Sequence, residues 1–329
     1  MEWPVSKEDV FAVKEHNFNE IALEIFRHQA ANNVIYNQYL TLIGCTPSTV
    51  RSVSEIPFLP IEFFKSHTIT TGTWQSDDFF ESSSTTGLNT SKHYIRDVTW
   101  YEESFRRCFE MVYSDVSEYC ILALLPNYLE RGQSSLVYMT QDLITRSTHE
   151  LSGFYLYNHE ALLDTLHALE QSGQKTILIG VSFALLDFAQ LVNHTYQNLT
   201  IIETGGMKGR RKEMTRFELH NALASAFGDI PIHSEYGMTE LFSQAYSTSA
   251  EMRFACPPWM KVLTTELEDP FQNSAQGKSG LLNVVDLSNI QTCSFIATSD
   301  IGRLYEDGTF EVLGRFDHSE QRGCNLMIT

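Results

Sequence analysis

Hydrophobic positions near the start of the chain recur at near-helical spacing. Phe11, Phe18, Ile21, Leu23, Ile25 and Phe26 alternate with charged residues, so 7–40 reads as an amphipathic helical segment. Pro57 and Pro60 break that pattern. The stretch Ile56 to Lys65 predicts an extended segment leading into a short helix. Further on the period changes again. Tyr119 to Leu125 is a continuous apolar run that stops at Pro126, as a strand buried on both faces would. Thr176 to Val181 and Leu199 to Glu203 repeat this texture, and Ile230 to His233 is a shorter version. Helical patterns separate them over 99–113, 133–145, 161–171, 184–192 and 212–227, the last turning Met214, Phe217, Leu223 and Phe227 to the core. Strand–helix alternation over 119–240 predicts a wound, mostly parallel α/β sheet.

Beyond about residue 260 short strands alternate with turns, at 261–267, 281–287 and 292–297. A hairpin of 301–305 with 309–313 turns across Glu306-Asp307-Gly308, where Asp-Gly is a strong signal. The domain expectation is therefore an α/β core over 1–259, with its helical N-terminal segment, and a small antiparallel β subdomain with a short tail over 260–329.

Composition narrows the class. The chain has 329 residues, 43% hydrophobic and 19% charged, with a net charge of −18. That balance fits a soluble globular protein and works against nonspecific contact with nucleic acid or anionic membrane. Cys45, Cys108, Cys120, Cys256, Cys293 and Cys324 show no CxxC spacing, so neither a zinc site nor a disulfide framework is expected. No stretch reads as a signal peptide or a membrane span, which predicts a cytoplasmic protein without stable membrane insertion.

Candidate chemistry begins at Ser82-Ser83-Ser84-Thr85-Thr86-Gly87, followed by Leu88-Asn89-Thr90-Ser91-Lys92. Hydroxyls and free backbone N–H groups in such a loop can donate several hydrogen bonds to a polyphosphate. The spacing is neither that of a P-loop nor that of a dinucleotide fingerprint. Taken alone, a Ser/Thr-rich surface linker is the first reading; features further along reverse that order. Gly205-Gly206-Met207 follows a predicted strand, where ligands bind α/β sheets and glycine admits a flat ligand. Tyr236-Gly237-Met238-Thr239-Glu240 follows another. Its tyrosine can stack on a base, its threonine can reach a phosphate and its carboxylate can hold Mg²⁺. Asp300, in Thr298-Ser299-Asp300, can accept both ribose hydroxyls, and Arg315 can steady the sugar or phosphate. Each piece also has a plain structural reading as a turn, a solvated carboxylate or a surface arginine.

In this order the pieces resemble the adenylate-forming enzyme superfamily. The hydroxyl loop is similar to its phosphate loop, Gly205-Gly206 to its adenine turn and Tyr236 to Glu240 to its Tyr-Gly-x-Thr-Glu motif. Thr298-Ser299-Asp300 is similar to its Thr-Gly-Asp, and Gly314-Arg315-Phe316-Asp317 to its hinge. The short stretch after the hinge is similar to the acyl-protein synthetase (LuxE-type) family, which lacks the usual C-terminal domain and its catalytic lysine. Ser84 and Ser299 stand where the superfamily has glycine, and Lys92 lies two positions beyond the usual loop lysine.

The resemblance implies ATP-dependent activation of a carboxylic, typically fatty, acid to acyl-AMP. Transfer to a cysteine follows, for which Cys324 occupies the matching place. It implies phosphate binding at Ser82 to Gly87, adenine between Gly205, Gly206, Met207 and Tyr236, and Gly237 and Met238 in the nucleotide turn. It further implies Thr239 at the α-phosphate, Mg²⁺ on Glu240, ribose on Asp300 near Arg315, and an acyl reductase or acyl-carrying partner protein. Two other outcomes stay open: transfer to a small acceptor such as coenzyme A, or a non-catalytic nucleotide-binding scaffold subunit.

Overall fold

A computed structural model describes residues 3–82, 90–125, 133–205 and 214–316. The chain divides into two compact units. One comprises Met1–Phe63, Ile69–Thr73 and Pro258–Thr329, the other Phe64–Thr68 and Trp74–Pro257.

The second unit carries the predicted α/β sheet. Its six strands run in the order Gly153–Phe154, Cys120–Leu124, Thr176–Val181, Leu199–Thr204, Ile232–Tyr236 and Ala245–Ser247. Every neighbouring pair is parallel except the last. All residues of Cys120–Leu124 and Thr176–Val181 are buried, which is why these strands read as unbroken apolar runs. The helix Thr99–Tyr113 precedes the first of these strands in the chain, and Ser135–Ser147, His159–Ser172, Ser182–Ala189 and Arg216–Phe227 connect the strands that follow. Leu162, Leu166 and Leu169 of one and Leu219, Leu223 and Phe227 of another pack into the core around the sheet.

Local signals set the helix ends. Thr215 and Glu218 form a capping box, each side chain bonding to the other's backbone N–H. Gly173 ends His159–Ser172 in the left-handed region, at φ 72°, where a glycine carries no Cβ penalty. One expectation fails in Arg216–Phe227. Phe217 is 63% exposed, while Leu219, Leu223 and Phe227 are buried. At about 100° per residue, Phe217 lies some 200° from Leu219, on the far side of the helix.

In the first unit the segment expected as one helix is three: Lys7–Phe11, Glu15–Asn32 and Val34–Leu42. Asn33 makes the second break. Its backbone is extended, and its side chain accepts the Tyr36 N–H at 3.0 Å, capping the next helix. Met260–Thr265, Ser279–Asp286, Phe295–Leu304 and Phe310–Arg315 pair antiparallel in sequence, and Leu59–Pro60 adds a short parallel strand beside Phe295–Leu304. The Asp-Gly hairpin forms as predicted but with longer arms, turning at Gly308 with φ 79°.

The N-terminal helices belong to this unit through buried polar contacts. Gln29 Nε2 donates to the carbonyls of Asn289 and Ile290, both at 3.2 Å, and Gln29 Oε1 accepts from the Ser294 N–H at 2.9 Å. A fully buried amide left unpaired would cost about 1–3 kcal/mol, so these bonds tie the helix to that loop. No helix among the described residues is long and apolar enough to cross a membrane.

Candidate active site

Two of the predicted turns begin at adjacent carboxyl ends of the parallel sheet. Thr204 ends one strand and Glu235 is its register partner on the next. Immediately beyond them come Gly205 and Tyr236-Gly237. Gly205 is exposed with φ 69°, a backbone conformation that favours glycine. Gly206 and Met207 lie outside the described residues. Tyr236 is buried as the last residue of its strand, its ring 5.7 Å from that of Phe254. A Cβ at Gly237 would meet Oε1 of Glu235, so that carboxylate, bonded to Thr204, would have to shift. Beyond it the Leu241 N–H donates to the Met238 carbonyl at 3.1 Å and closes a turn holding Thr239 and Glu240. Glu240 is 5% exposed.

The Thr204 hydroxyl donates to Glu235 across the two strand ends, with both residues buried. Burial pushes the Glu235 carboxyl up to about 7; the Thr204 hydrogen bond opposes this, and the nearby Glu203 carboxylate reinforces it. Glu203 lies on the same strand end. Burial pushes it upward too, but contact with His220 and the charge of Arg216 outweigh burial and hold it below the usual carboxylate range. Arg216 Nε is 3.3 Å away, and the Ser182 hydroxyl lies 3.1 Å from Glu203 and 3.2 Å from the Gly205 carbonyl. Ser182 thereby links the buried charge to the glycine turn.

Ser234, His220 and Glu203 superficially suggest a nucleophilic triad. His220 Nε2 is 3.0 Å from Ser234 Oγ and 3.7 Å from Glu203 Oε1. Both contacts use the same nitrogen, whereas a triad needs the hydroxyl on one and the acid on the other. The cluster braces strand ends and does not activate a serine. On the same strand His233 is pushed down to about 4 by burial and by His220, and its Nδ1 lies 3.1 Å from the Tyr113 hydroxyl.

Glu235 supplies a measurable pH signature. A carboxyl whose folded pKa is raised from 4.5 to about 7 contributes stability that is full below pH 4.5 and is lost as pH rises through 7. The loss amounts to about 3 kcal/mol. Glu235→Gln, which keeps an acceptor for Thr204 and cannot ionise, is expected to flatten this slope. Urea midpoints at pH 5 and pH 8 should show the variant gaining on the wild type at the higher pH. Parallel pH profiles for the two proteins would refute the assignment.

The hydroxyl loop hangs from a two-stranded hairpin in the same unit, Phe79–Glu81 antiparallel to Lys92–Tyr94. Ser82 N–H donates to the Ser91 carbonyl at 3.0 Å, and the Ser91 N–H returns to Ser82 Oγ at 2.9 Å. Ser83, Ser84, Thr85, Thr86 and Gly87 lie outside the described residues. Lys92 points its ammonium at the Phe79 ring, 4.6 Å from the centroid. One strand residue on, His93 Nδ1 meets the Thr239 carbonyl at 2.8 Å.

In the first unit Asp300 and Arg315 are register partners on neighbouring strands, with Arg315 Nε 3.7 Å from Asp300 Oδ1. The Asp300 N–H donates to Thr298 Oγ1 at 3.1 Å, and the strand register shifts just beyond, between Ile301 and Gly302. Ser299 donates to Glu62 at 2.7 Å. Asp300 is mostly covered, while the Arg315 side chain is 70% exposed. Cys324 lies outside the described residues. A cavity of about 590 Å³ in this unit, lined by Ile43, Cys45, Val50 and Phe271 among others, contains none of the predicted residues.

Sequence reasoning missed Glu203, Glu235, Ser182 and His93. For Glu203 a signal existed, a charged residue at the end of an apolar strand. The other three look like ordinary polar residues until their partners are known. Among the described residues no group of three or more His, Cys, Asp or Glu is placed to hold a metal ion. A magnesium ion arriving on a nucleotide needs only one or two protein carboxylates, its remaining ligands being phosphate and water.

The chain is similar to several known proteins. The family described as acyl-protein synthetase, LuxE, matches over residues 6–329. A long-chain-fatty-acid–luciferin-component ligase of Vibrio harveyi is 23% identical, the match covering 92% of this chain and 85% of that protein. Among solved structures, an open conformation of 2-hydroxyisobutyryl-CoA ligase aligns with a TM-score of 0.64 at 10% identity, over 92% of this chain and 70% of that one. An ATP-bound RpMatB-BxBclM chimera aligns at 0.52 and 15% identity over 74% of this chain, which spans half the chimera's length. At such identities the structural likeness is one of fold: an α/β core of the adenylate-forming type.

Proposed function

The chain belongs to the acyl-protein synthetase (LuxE) family, and from that premise we propose that it joins a carboxylic acid, of the fatty class, to a cysteine of its own through an acyl-adenylate. The observation that carries this reading is the pair of turns at neighbouring carboxyl ends of the parallel sheet, Thr204-Gly205 and Tyr236-Gly237, joined by the Thr204–Glu235 bond. That edge is where α/β sheets receive ligands.

In the first step a carboxylate oxygen of the acid attacks the α-phosphorus of ATP. The bond from that phosphorus to the bridging oxygen breaks, and pyrophosphate leaves with the electron pair. No proton need move, so the protein's work is alignment and charge stabilisation. Ser82 to Gly87 are assigned to the β- and γ-phosphates and Thr239 to the α-phosphate. Gly205, Gly206, Met207 and the Tyr236-Gly237-Met238 segment are assigned to the adenine. Asp300, with Arg315, is assigned to the ribose. Magnesium, when bound on Glu240, would neutralise phosphate charge.

In the second step the Cys324 thiolate attacks the acyl carbon. The carbon–oxygen bond of the mixed anhydride breaks, AMP leaves, and a thioester remains. The thiol must lose its proton first, because the thiolate is the nucleophile. The acyl group is then available to an acyl-reducing or acyl-carrying partner protein.

The test is a screen of carboxylic acids for acid-dependent exchange of labelled pyrophosphate into ATP. Exchange with medium or long aliphatic acids is the expected result. ATP binding by calorimetry without exchange for any acid would overturn the reading in favour of a binding subunit. Acyl transfer to coenzyme A with no protein-bound product would overturn the second step alone.

A further inference from the structure

We propose that His93 is a positioning residue that fixes the Thr239-Glu240 turn against the hairpin bearing the hydroxyl loop. The inference rests on the proposed adenylation reaction and concerns how its parts are held in register.

The strand Lys92–Tyr94 alternates in the usual way, with Lys92 and Tyr94 half-buried and His93 wholly inward at 0% exposure. Inside, the imidazole lies against Phe242 with ring centroids 4.7 Å apart and planes 22° from parallel. Phe64 meets it edge-on at 5.7 Å. Held by two aromatic rings, the imidazole has little freedom to rotate, and Nδ1 points at the Thr239 carbonyl 2.8 Å away. A carbonyl oxygen can only accept, so Nδ1 must carry the hydrogen, and this contact fixes both ring orientation and proton position.

Each end of the link attaches to something already fixed. Two residues before His93, Ser91 closes the base of the hydroxyl loop with its paired bonds to Ser82. One residue after Thr239 stands Glu240, in the turn closed by Leu241 and Met238. A displacement of the ring would therefore move the Thr239-Glu240 turn relative to the base of the loop. Phosphorus displacement depends on such alignment, and a misplacement of about 1 Å can cost 10²-fold in rate. Packing alone does not explain the residue. A phenylalanine would fill an aromatic slot between Phe242 and Phe64 without a polar atom to satisfy.

The amide side chains separate these roles. Asn Nδ2 stands close to where His Nδ1 stands, and Gln Nε2 close to His Nε2. His93→Asn is expected to keep acid-dependent pyrophosphate exchange within roughly fivefold of wild type. His93→Gln and His93→Phe are expected to lose roughly 10- to 100-fold in kcat, with His93→Phe melting within a few degrees of wild type. Wild-type kcat in His93→Phe, or equal activities in the asparagine and glutamine variants, would overturn the inference while leaving the proposed function intact. Failure of all three variants to fold would overturn it in favour of a packing role. A wild type that exchanges with no acid would remove the proposed function, and this inference with it.

Discussion

Acid-dependent exchange of pyrophosphate into ATP is expected to fall by roughly 10²- to 10³-fold when Glu240 becomes glutamine, the range seen when one charge-stabilising group is lost from a reacting centre. Glutamine keeps the size and loses the charge. Glu240 is 5% exposed in a turn closed by the Met238–Leu241 bond, so the shape of the turn should survive the change. A neutral amide oxygen can still ligate a hard dication but brings no negative charge, so it holds magnesium more weakly than a carboxylate does. The loss should appear in kcat/KM for Mg-ATP, and raising the magnesium concentration should recover part of it. Melting of the free protein should change little. Exchange in Glu240→Gln within about twofold of wild type would remove Glu240 from the reaction.

The second large effect is a separation of the two half-reactions. Cys324→Ser is expected to keep pyrophosphate exchange at wild-type level and to lose labelling of the protein by radioactive fatty acid and ATP. Exchange reports only the acyl-adenylate, whose formation needs no thiol. Covalent labelling needs the thiolate, and at neutral pH a serine hydroxyl is far too weakly ionised to substitute. The loss should be essentially complete. Neutral hydroxylamine should release the label from the wild type, as it does from thioesters. A serine variant that labels as well as the wild type would show that another residue accepts the acyl group. Cys108, Cys120 and Cys293 are poor candidates because they are buried, and burial pushes Cys120 up to about 11 and Cys293 up to about 12.

The order of the motifs, the three apolar strands that carry the sheet, the helix over Thr99–Tyr113 and the Asp-Gly hairpin are legible in the residue pattern. Each leaves a local trace: an unbroken apolar run, a helical period, or a glycine where the backbone must turn. The tertiary structure alone decided which distant residues would meet. Gln29 reaches a loop 260 positions away, His93 reaches a carbonyl 146 positions away, and Thr204 finds Glu235 only because their strands are neighbours in register. Phe217 faces outward for a related reason: apolar character does not say which face of a helix looks inward until the neighbours are in place. A polar pair buried far apart in sequence carries no periodicity. Its partners are selected by the cost of leaving either one unsatisfied once the core has closed around it.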